Sequence, residues 1–289
     1  MAGYWVFGML CALPLTRTKR APAGLKMLPS IYEELFSLRG KTALVTGGAK
    51  GIGAMLSHTL VQAGCHVVIV ARSAETGKRW VSQLAQYGSC AFVQHDLASA
   101  EGIETLLPKL EGCTERLDIL VNNAGTFNAQ PLGAVMAAQW DDLLGLNLKI
   151  PFILTQALLP YLEAAGTAHN PSRVVNIGSI GGLMPQSNGA YAYGCSKAAL
   201  HQLTRMLASD LGSRHINVNA IAPGFFPSDM TAGFFEAFPG LEQNILENIP
   251  AGRFGTPQDI GGLLIFLCSR AGAYLNGSVT ALDGGYLGR

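Results

Sequence analysis

The sequence lacks the features that mark several common classes of protein. Its formal net charge is only +1, and no basic run is interleaved with aromatic residues, which argues against nucleic-acid binding. Its six cysteines form no Cys-x-x-Cys pair and lie near no histidine cluster, so we expect no metal site and reduced thiols. No apolar run reaches the roughly 20 residues of a membrane-spanning helix. These absences predict a cytoplasmic protein with no integral membrane span and no nucleic-acid partner.

The first 36 residues differ in kind from the rest. Tyr4 to Leu15 is apolar but only about 12 residues long, and it is interrupted by a glycine and a proline. Four basic residues follow before the first acid at Glu33, as in an organelle-targeting segment, whereas a secretory signal carries its charge ahead of the apolar run. We predict an N-terminal extension over residues 1–36, either disordered or with a targeting or membrane-associating role. Residues 37–289 then form one domain.

Apolar residues and glycine are abundant: 49% of the 289 residues are hydrophobic and 35 are glycines. Short β-rich apolar runs alternate with helical stretches, which is typical of a parallel sheet covered on both faces. The predicted fold class is therefore α/β, a single-domain, doubly wound Rossmann fold with a seven-stranded parallel sheet. Its predicted strands lie near Thr42–Val45, His66–Val70, Ala91–Val93, Leu117–Val121, Arg173–Ile177, Asn217–Ile221 and Ser278–Leu282.

A glycine-rich loop, Thr-Gly-Gly-Ala-Lys-Gly-Ile-Gly, follows the first predicted strand and leads into a helical pattern. Its glycines allow a tight turn and close approach of the backbone to a pyrophosphate, which the amide groups and dipole of the helix N-terminus hold. A glycine cluster alone is more often a plain loop, but the order strand, loop, helix predicts a dinucleotide site. The predicted contacts are Gly47, Lys50, Gly51, Ile52 and Gly53.

The end of the second predicted strand indicates which dinucleotide binds. NAD-dependent enzymes place an acid there for the adenosine ribose, but no carboxylate stands between Gly53 and Glu75. Arg72 can meet a 2′-phosphate with its guanidinium fork, and Lys50 adds a second cation from the glycine loop. The sequence therefore predicts NADP(H). Glu75 binding the ribose hydroxyls is the alternative, and each cation alone could be a solvated surface charge.

Tyr193 and Lys197 stand four residues apart at the start of a predicted helix, which places their side chains on one face. A cation near a phenol lowers its pKa from the usual value of about 10 and makes it a better proton donor. Tyr191 has the uncharged Cys195 at the same spacing. We therefore predict acid–base chemistry on an alcohol or ketone at Tyr193, against the alternative of an exposed amphipathic turn.

Taken together, these motifs resemble the short-chain dehydrogenase/reductase family over residues 37–287. Within that family, residues 190–207 and 215–231 are similar to the rhamnolipid-pathway type of NADPH-dependent 3-oxoacyl reductase and its fungal relatives. The resemblance implies a catalytic tetrad of Asn147, Ser179, Tyr193 and Lys197. It is carried by Thr46 to Gly53, Asp96, Asn122-Asn123-Ala124-Gly125, Asn147, Ser179, Tyr193 with Lys197, Pro223-Gly224 and Asp283-Gly284-Gly285.

The resemblance also implies the other cofactor contacts. Asn123 would border the adenine ribose, and Asp96 would meet the adenine amino group unless it caps a helix instead. Ser228 stands where threonine is usual, and its hydroxyl preserves the contact with the nicotinamide carboxamide. The implied contacts around the nicotinamide are Pro223, Gly224, Phe226, Ser228, Tyr193 and Lys197.

The predicted reaction is NADPH-dependent reduction of an apolar ketone to a secondary alcohol, with Tyr193 as general acid. The substrate alternatives are a 3-oxoacyl thioester of the fatty-acid or rhamnolipid type, a polyketide or other secondary-metabolite ketone, and a steroid-like ketone. Phenylalanines between residues 225 and 238 could close over an apolar substrate, and the acids among residues 229–247 disfavour a carrier-bound one. A non-catalytic NADP-binding protein is the remaining alternative. The family resemblance implies a homodimer or homotetramer.

Overall fold

Seven strands form one parallel sheet in the computed structural model, which describes residues 30–98, 102–185, 189–227 and 240–288. Their order in the sheet is β3-β2-β1-β4-β5-β6-β7. Every predicted strand overlaps an observed one, so the predicted fold class is confirmed. The strands are β1 (Thr42–Thr46), β2 (His66–Ala71), β3 (Cys90–Gln94), β4 (Ile119–Asn122), β5 (Ser172–Ile177), β6 (Ile216–Pro223) and β7 (Val279–Leu282).

The central strands are buried on both faces, because every residue of β4, β5 and β6 is buried. Near-continuous apolar runs are what a parallel sheet between two helical layers requires. One layer includes Leu56 and Leu264, and the other includes Leu106 and Leu154. The helices are α1 (Ile31–Phe36), α2 (Gly51–Gln62), α3 (Ala74–Leu84), α4 (Gly102–Glu111), α5 (Ala137–Leu144), α6 (Ile150–Ala157), α7 (Leu159–Ala165), α8 (Tyr191–Leu211), α9 (Leu241–Glu247) and α10 (Pro257–Cys268).

Of the predicted N-terminal extension, the structure describes only the last seven residues. Ser30 and Glu33 form a capping box at the start of α1, with the Ser30 hydroxyl accepting from the Glu33 amide at 3.3 Å. Helix α1 contributes no buried residue to the core. Residues 1–29 lie outside the described part of the chain, so the predicted role of the extension stays a prediction.

Among the described residues, no single helix is long and apolar enough to cross a membrane. The bent pair Ala137–Ala157 and Leu159–Ala165 would qualify by length and composition. Leu154 and Leu162 of this pair, and Leu158 between its two segments, are instead buried in the protein core.

A buried group of charged side chains holds the sheet together at the amino-terminal ends of its strands. Lys41 lies 3.7 Å from Asp118, whose carboxylate also accepts from the Thr42 amide at 3.0 Å. Arg173 is 1% exposed and donates to the carbonyls of Leu267 and Ser269, both at 3.0 Å. Buried charges persist where hydrogen bonds satisfy them, so these contacts tie the sheet to the end of α10.

Candidate active site

The glycine loop between β1 and α2 adopts a conformation that side chains disfavour. Gly47 and Gly51 have φ values of 63° and 54°, in the left-handed region. A Cβ on Gly53 would lie 2.2 Å from the Gly47 carbonyl oxygen, so only glycine fits there. The first turn of α2 carries no acid, which leaves its amide groups and positive dipole end available to an anion. The loop therefore fits the pyrophosphate of a dinucleotide.

The Asn123 side chain holds this loop through hydrogen bonds to its backbone. Its Nδ2 donates to the carbonyls of Thr46 at 2.9 Å and Gly47 at 3.3 Å. The Thr46 hydroxyl accepts from the amides of Asn123 and Ala124, both at 3.0 Å. The predicted contact of Asn123 with the adenine ribose stays a prediction, while its contacts in the structure are with the loop backbone. Sequence reasoning missed the part played by the Thr46 hydroxyl, although Thr46 opens the loop motif.

We expect Gly53→Ala to weaken NADPH binding by at least about tenfold, because the added methyl must displace the Gly47 carbonyl and the loop that cradles the phosphates. Titration of NADPH followed by fluorescence measures the effect. Gly262→Ala in α10 is the matched control, since a Cβ there would meet no atom within 4 Å. Equal affinities for the two variants would contradict the assignment of the loop.

The two predicted phosphate-binding cations lie at the same edge of the sheet. The Gly47 amide donates at 2.7 Å to the carbonyl of Val70, two residues before Arg72. The glycine loop therefore lies against the carboxyl end of β2. Arg72 and Lys50 are both exposed. Gln94 donates to the Arg72 carbonyl at 3.2 Å and fixes its backbone. This edge can therefore accommodate a phosphate on the adenosine ribose.

Asp96 follows β3 at the same edge and is exposed. Its carboxylate accepts from the Ala98 amide at 3.1 Å, two residues on, in the manner of an Asx turn. Helix α4 is described from Gly102, so Asp96 forms a local turn before it. Its predicted contact with the adenine amino group stays a prediction.

Three residues of the predicted tetrad meet at the carboxyl end of β5. Tyr193 and Lys197 occupy the first two turns of α8, and Ser179 follows β5. The Tyr193 and Ser179 side chains are hydrogen-bonded to each other. The Lys197 ammonium lies 5.7 Å from the centre of the Tyr193 ring and donates to the Ile177 carbonyl at 2.8 Å. Serine hydroxyl, phenol and ammonium therefore lie side by side.

The local electrostatics differ from the predicted lowering of the Tyr193 pKa by Lys197. Burial raises the pKa of the Tyr193 phenol, and the hydrogen bond with Ser179 partly opposes that change. Burial also lowers the pKa of the Lys197 ammonium to about 8. Desolvation has the largest effect on the pKa of each group, because both groups are removed from water. The phenol is therefore held as a protonated donor.

Asn147 lies in a π-helical turn, Gly145–Lys149, between α5 and α6. Its side-chain oxygen accepts from the Thr126 amide at 2.8 Å, and its Nδ2 donates to the Thr126 carbonyl at 2.9 Å and the Ser196 hydroxyl at 3.2 Å. A Cβ on Gly125 would lie 3.0 Å from the Asn147 side-chain oxygen and 3.7 Å from the Lys197 nitrogen. Asn147 and Lys197 thus flank Gly125. Single π-turns within helices are frequent at functional sites.

An aromatic residue that sequence reasoning missed stands against Tyr193. The Phe127 ring contacts the Tyr193 ring edge to face, with 5.0 Å between centroids. Phe127 follows the Asn-Asn-Ala-Gly motif by two residues, and its distance along the chain from Tyr193 hid the contact. It gives the phenol an apolar neighbour on the side of the loop after β4.

The implied nicotinamide contacts at the end of β6 are partly described. Gly224 must be glycine, because a Cβ would lie 2.8 Å from the Asp283 Cα. The Phe226 ring is buried against Gly255 in the core, so contact with a cofactor would involve its backbone. Pro223 is buried and pairs with Leu282 of β7. Ser228 and the phenylalanines at 234, 235 and 238 lie outside the described residues.

Glycine turns of this kind hold dinucleotides, and a phenol hydrogen-bonded to a serine is suited to moving a proton to or from oxygen. The fold and the site together therefore define a dinucleotide-dependent oxidoreductase. Residues 47–287 match the family model described as Enoyl-(Acyl carrier protein) reductase. The chain belongs to the short-chain dehydrogenase/reductase family, as its motifs indicated.

Two relatives and one solved structure illustrate the range of the family. The rhamnolipids biosynthesis 3-oxoacyl-[acyl-carrier-protein] reductase of Pseudomonas aeruginosa is 46% identical over 251 residues, covering 87% of this chain and 98% of the relative. The 2-dehydro-3-deoxy-D-gluconate 5-dehydrogenase of Escherichia coli is 36% identical, covering 88% and 98%. The solved RhlG/NADP active-site complex from Pseudomonas aeruginosa has a TM-score of 0.84 at 45% identity, covering 88% and 98%.

Proposed function

We propose that this protein is an NADPH-dependent carbonyl reductase that converts an apolar ketone into a secondary alcohol. The observation that carries the proposal is the cluster of Ser179, Tyr193 and Lys197 at the carboxyl end of β5. Ligands of open parallel α/β sheets bind at that end of the strands. The Phe127 ring against Tyr193 supports an apolar substrate, because a nonpolar wall borders the proton donor.

The residues divide the chemistry between them. Ser179 orients the substrate carbonyl through its hydroxyl, and Tyr193 donates a proton to the carbonyl oxygen as charge develops there. The Lys197 ammonium stabilises that charge and the phenolate that remains, and the Ile177 carbonyl fixes its position. Bound NADPH supplies the hydride that reduces the carbonyl carbon. Asn147 lies on the other side of Gly125 from Lys197 and holds the Thr126 backbone beside the site.

The cofactor assignment rests on the residues that follow the carboxyl ends of β1 and β2. Arg72 and Lys50 are exposed cations among them, and the relative of known structure with the TM-score of 0.84 was solved with NADP. A fork of guanidinium donors suits a 2′-phosphate, whereas a ribose with two free hydroxyls suits a carboxylate. We therefore propose that Arg72 selects NADPH over NADH.

We expect Arg72→Ala to raise the KM for NADPH at least tenfold and to leave the KM for NADH nearly unchanged. A charge-assisted hydrogen bond is generally worth about 1.5–3 kcal/mol, and each 1.4 kcal/mol is about tenfold in affinity. Initial rates with each cofactor measure the change. Arg39→Ala is the control, because Arg39 is an exposed arginine near Gly64 at the opposite edge of the sheet. A wild type that uses NADH as efficiently as NADPH would refute the assignment.

The main alternative is a 3-oxoacyl thioester as substrate, of the fatty-acid or rhamnolipid type. The name of the 46% identical relative supports it. NADPH consumption with a panel of cyclic and polyketide-like ketones, steroid-like ketones, 3-oxoacyl thioesters and the same acyl chains on a carrier protein would separate the alternatives. Turnover confined to the thioesters would favour the acyl reductase. Absence of turnover with every carbonyl, despite tight NADPH binding, would refute the proposed reductase activity.

We further propose that the protein forms a homodimer or homotetramer through the helices around Asn147 and Tyr193. Phe152 on α6 and Met206 on α8 are large apolar side chains that are 39% and 56% exposed, and an interface between subunits would remove them from water. We expect the double variant Phe152→Glu/Met206→Glu to elute as a monomer in size-exclusion chromatography with light scattering. Tyr274→Glu, at a fully exposed aromatic outside these helices, should retain the wild-type mass. A wild type that is monomeric at micromolar concentration would contradict this proposal.

A further inference from the structure

A histidine outside the predicted tetrad is buried next to it. His201 lies on α8, four residues after Lys197, so the two side chains project from the same face of the helix. It is 2% exposed. Within the described part of the chain, neither ring nitrogen of His201 has a hydrogen-bond partner. A buried imidazole without polar partners is costly, which raises the question of what holds it there.

The imidazole fills the space between the two ends of the turn that carries Ser179. A Cβ on Gly178, directly before Ser179, would lie 2.1 Å from the His201 Nε2. A Cβ on Gly182, three residues after Ser179, would lie 2.8 Å from the His201 Cε1. The two glycines therefore leave room for the ring, and the ring occupies the space that their missing side chains leave.

Helix α8 thus meets the Ser179 turn with two stacked side chains. The Lys197 ammonium donates to the carbonyl of Ile177, and one helical turn further on His201 packs against Gly178. On its other side the turn is fixed by the Gly178 amide, which donates to the Ile221 carbonyl of β6 at 2.7 Å. The Ser179 hydroxyl accepts from the Gly181 amide at 3.0 Å within the same turn. Any shift of the turn would move this hydroxyl relative to Tyr193.

We propose that His201 is a positioning residue that sets the Ser179 hydroxyl for the reaction by packing its imidazole between Gly178 and Gly182. The inference rests on the proposed reductase function, in which Ser179 orients the carbonyl. It assigns His201 no proton transfer and no contact with substrate. A displacement of catalytic groups by about 1 Å can cost on the order of a hundredfold in rate, so packing at this turn is sufficient to matter.

The charge state of the ring agrees with a packing role. Burial, with a smaller contribution from the nearby Lys197 ammonium, lowers the pKa of His201 to about 4. Arg205 on the same helix acts in the same direction, while contact with the Gly182 backbone opposes it without reaching hydrogen-bond geometry. The facing segments named here, Ile177 to Gly182 and Ile221, carry no ionisable side chain. His201 is therefore neutral throughout the pH range of an ordinary assay.

A double-mutant cycle with Ser179 tests the inference. We expect His201→Ala to lower kcat about ten- to a hundredfold while the Kd for NADPH stays within about twofold of wild type. In a Ser179→Ala background the same substitution should cost no more than about twofold, because the group that it misplaces is already absent. His201→Val, which removes less of the buried volume than alanine does, replaces the alanine variant if the latter fails to fold, and it should lower kcat in the same direction. Thermal denaturation of each variant identifies that failure.

A suppressor experiment tests the contact itself. Gly178→Ala should lower kcat because its methyl collides with the imidazole, and adding His201→Ala should restore at least part of the loss. Gly182→Ala is the matched control, because its Cβ would also lie 2.6 Å from the backbone nitrogen of Ala198. Removing the imidazole leaves that collision in place, so no recovery is expected there.

The outcomes separate this inference from the proposed function. If His201→Ala keeps full kcat, or costs the same factor with and without the Ser179 hydroxyl, the positioning role is overturned. A Ser179→Ala variant with unchanged kcat would instead refute the proposed role of the serine, whatever His201 does. Recovery in the Gly178 pair together with loss of the His201 effect in the Ser179→Ala background supports the inference.

Discussion

Tyr193→Phe should lower kcat by about 10² to 10⁴ and leave the Kd for NADPH nearly unchanged. The substitution keeps the ring and its edge-to-face contact with Phe127 but removes the proton that general acid catalysis delivers. It also removes the hydrogen bond with Ser179, whose hydroxyl retains the Gly181 amide as a partner. Stopped-flow or steady-state NADPH oxidation with an accepted ketone gives kcat, and a fluorescence titration gives the Kd.

Tyr191→Phe is the matched control for this variant. Tyr191 opens the same helix two residues earlier, and it is 42% exposed. Its hydroxyl has no place in the Ser179 cluster, so its loss should change kcat by less than about twofold. Similar losses of kcat in both variants would show that the reaction depends on the structure of the first turn of α8 and not on one phenol. The assignment of Tyr193 as general acid would then fail.

Lys197 should give the reaction an alkaline limit. Because burial lowers the pKa of its ammonium to about 8, the charged form is present below that pH and disappears above it in the free enzyme. We therefore expect kcat/KM, which reports the free enzyme, to fall as the pH rises through about 8. Lys197→Met, which removes the charge at every pH, should lower kcat/KM by at least about 10² at pH 7.

Lys197→Arg separates charge from shape. A guanidinium stays charged throughout the assay range, so the fall of kcat/KM near pH 8 should vanish in this variant even if kcat/KM itself is lower.

The stability of the wild type changes with pH in the opposite direction to its activity. The unfolded chain keeps this proton up to about pH 10.4, so between pH 8 and that value the Lys197 contribution to the free energy of unfolding rises with pH. If kcat/KM of the Lys197→Arg variant still falls near pH 8, a group other than Lys197 causes that fall.

The sequence was sufficient for the fold because a parallel sheet imposes a local signature. Strands such as β5 are buried on both faces, so their apolar runs stand out from the amphipathic helices between them. The spacing of Tyr193 and Lys197 was likewise readable, since a helix places residues four apart on one face. The glycine loop was found from its position between a strand and a helix.

What the sequence could not provide depends on contacts between distant segments. His201 is adjacent to Gly178 only because α8 folds back onto the end of β5, and no local pattern distinguishes it from a surface histidine. The contact between Phe127 and Tyr193 joins residues 66 positions apart. The direction of the Tyr193 pKa change was also out of reach, because it depends on burial of the whole site rather than on one neighbouring cation.

Stabilising contacts and site residues lie at opposite ends of the strands, which has an evolutionary consequence. The buried contacts of Lys41, Asp118 and Arg173 lie at the amino-terminal ends of the strands, while the segments around the site leave from the carboxyl ends. Replacing a segment around the site therefore leaves these buried contacts of the sheet unchanged. Chimaeras that exchange such segments among relatives should inherit the donor's substrate range while unfolding at the recipient's temperature, which makes this architecture permissive to new specificities.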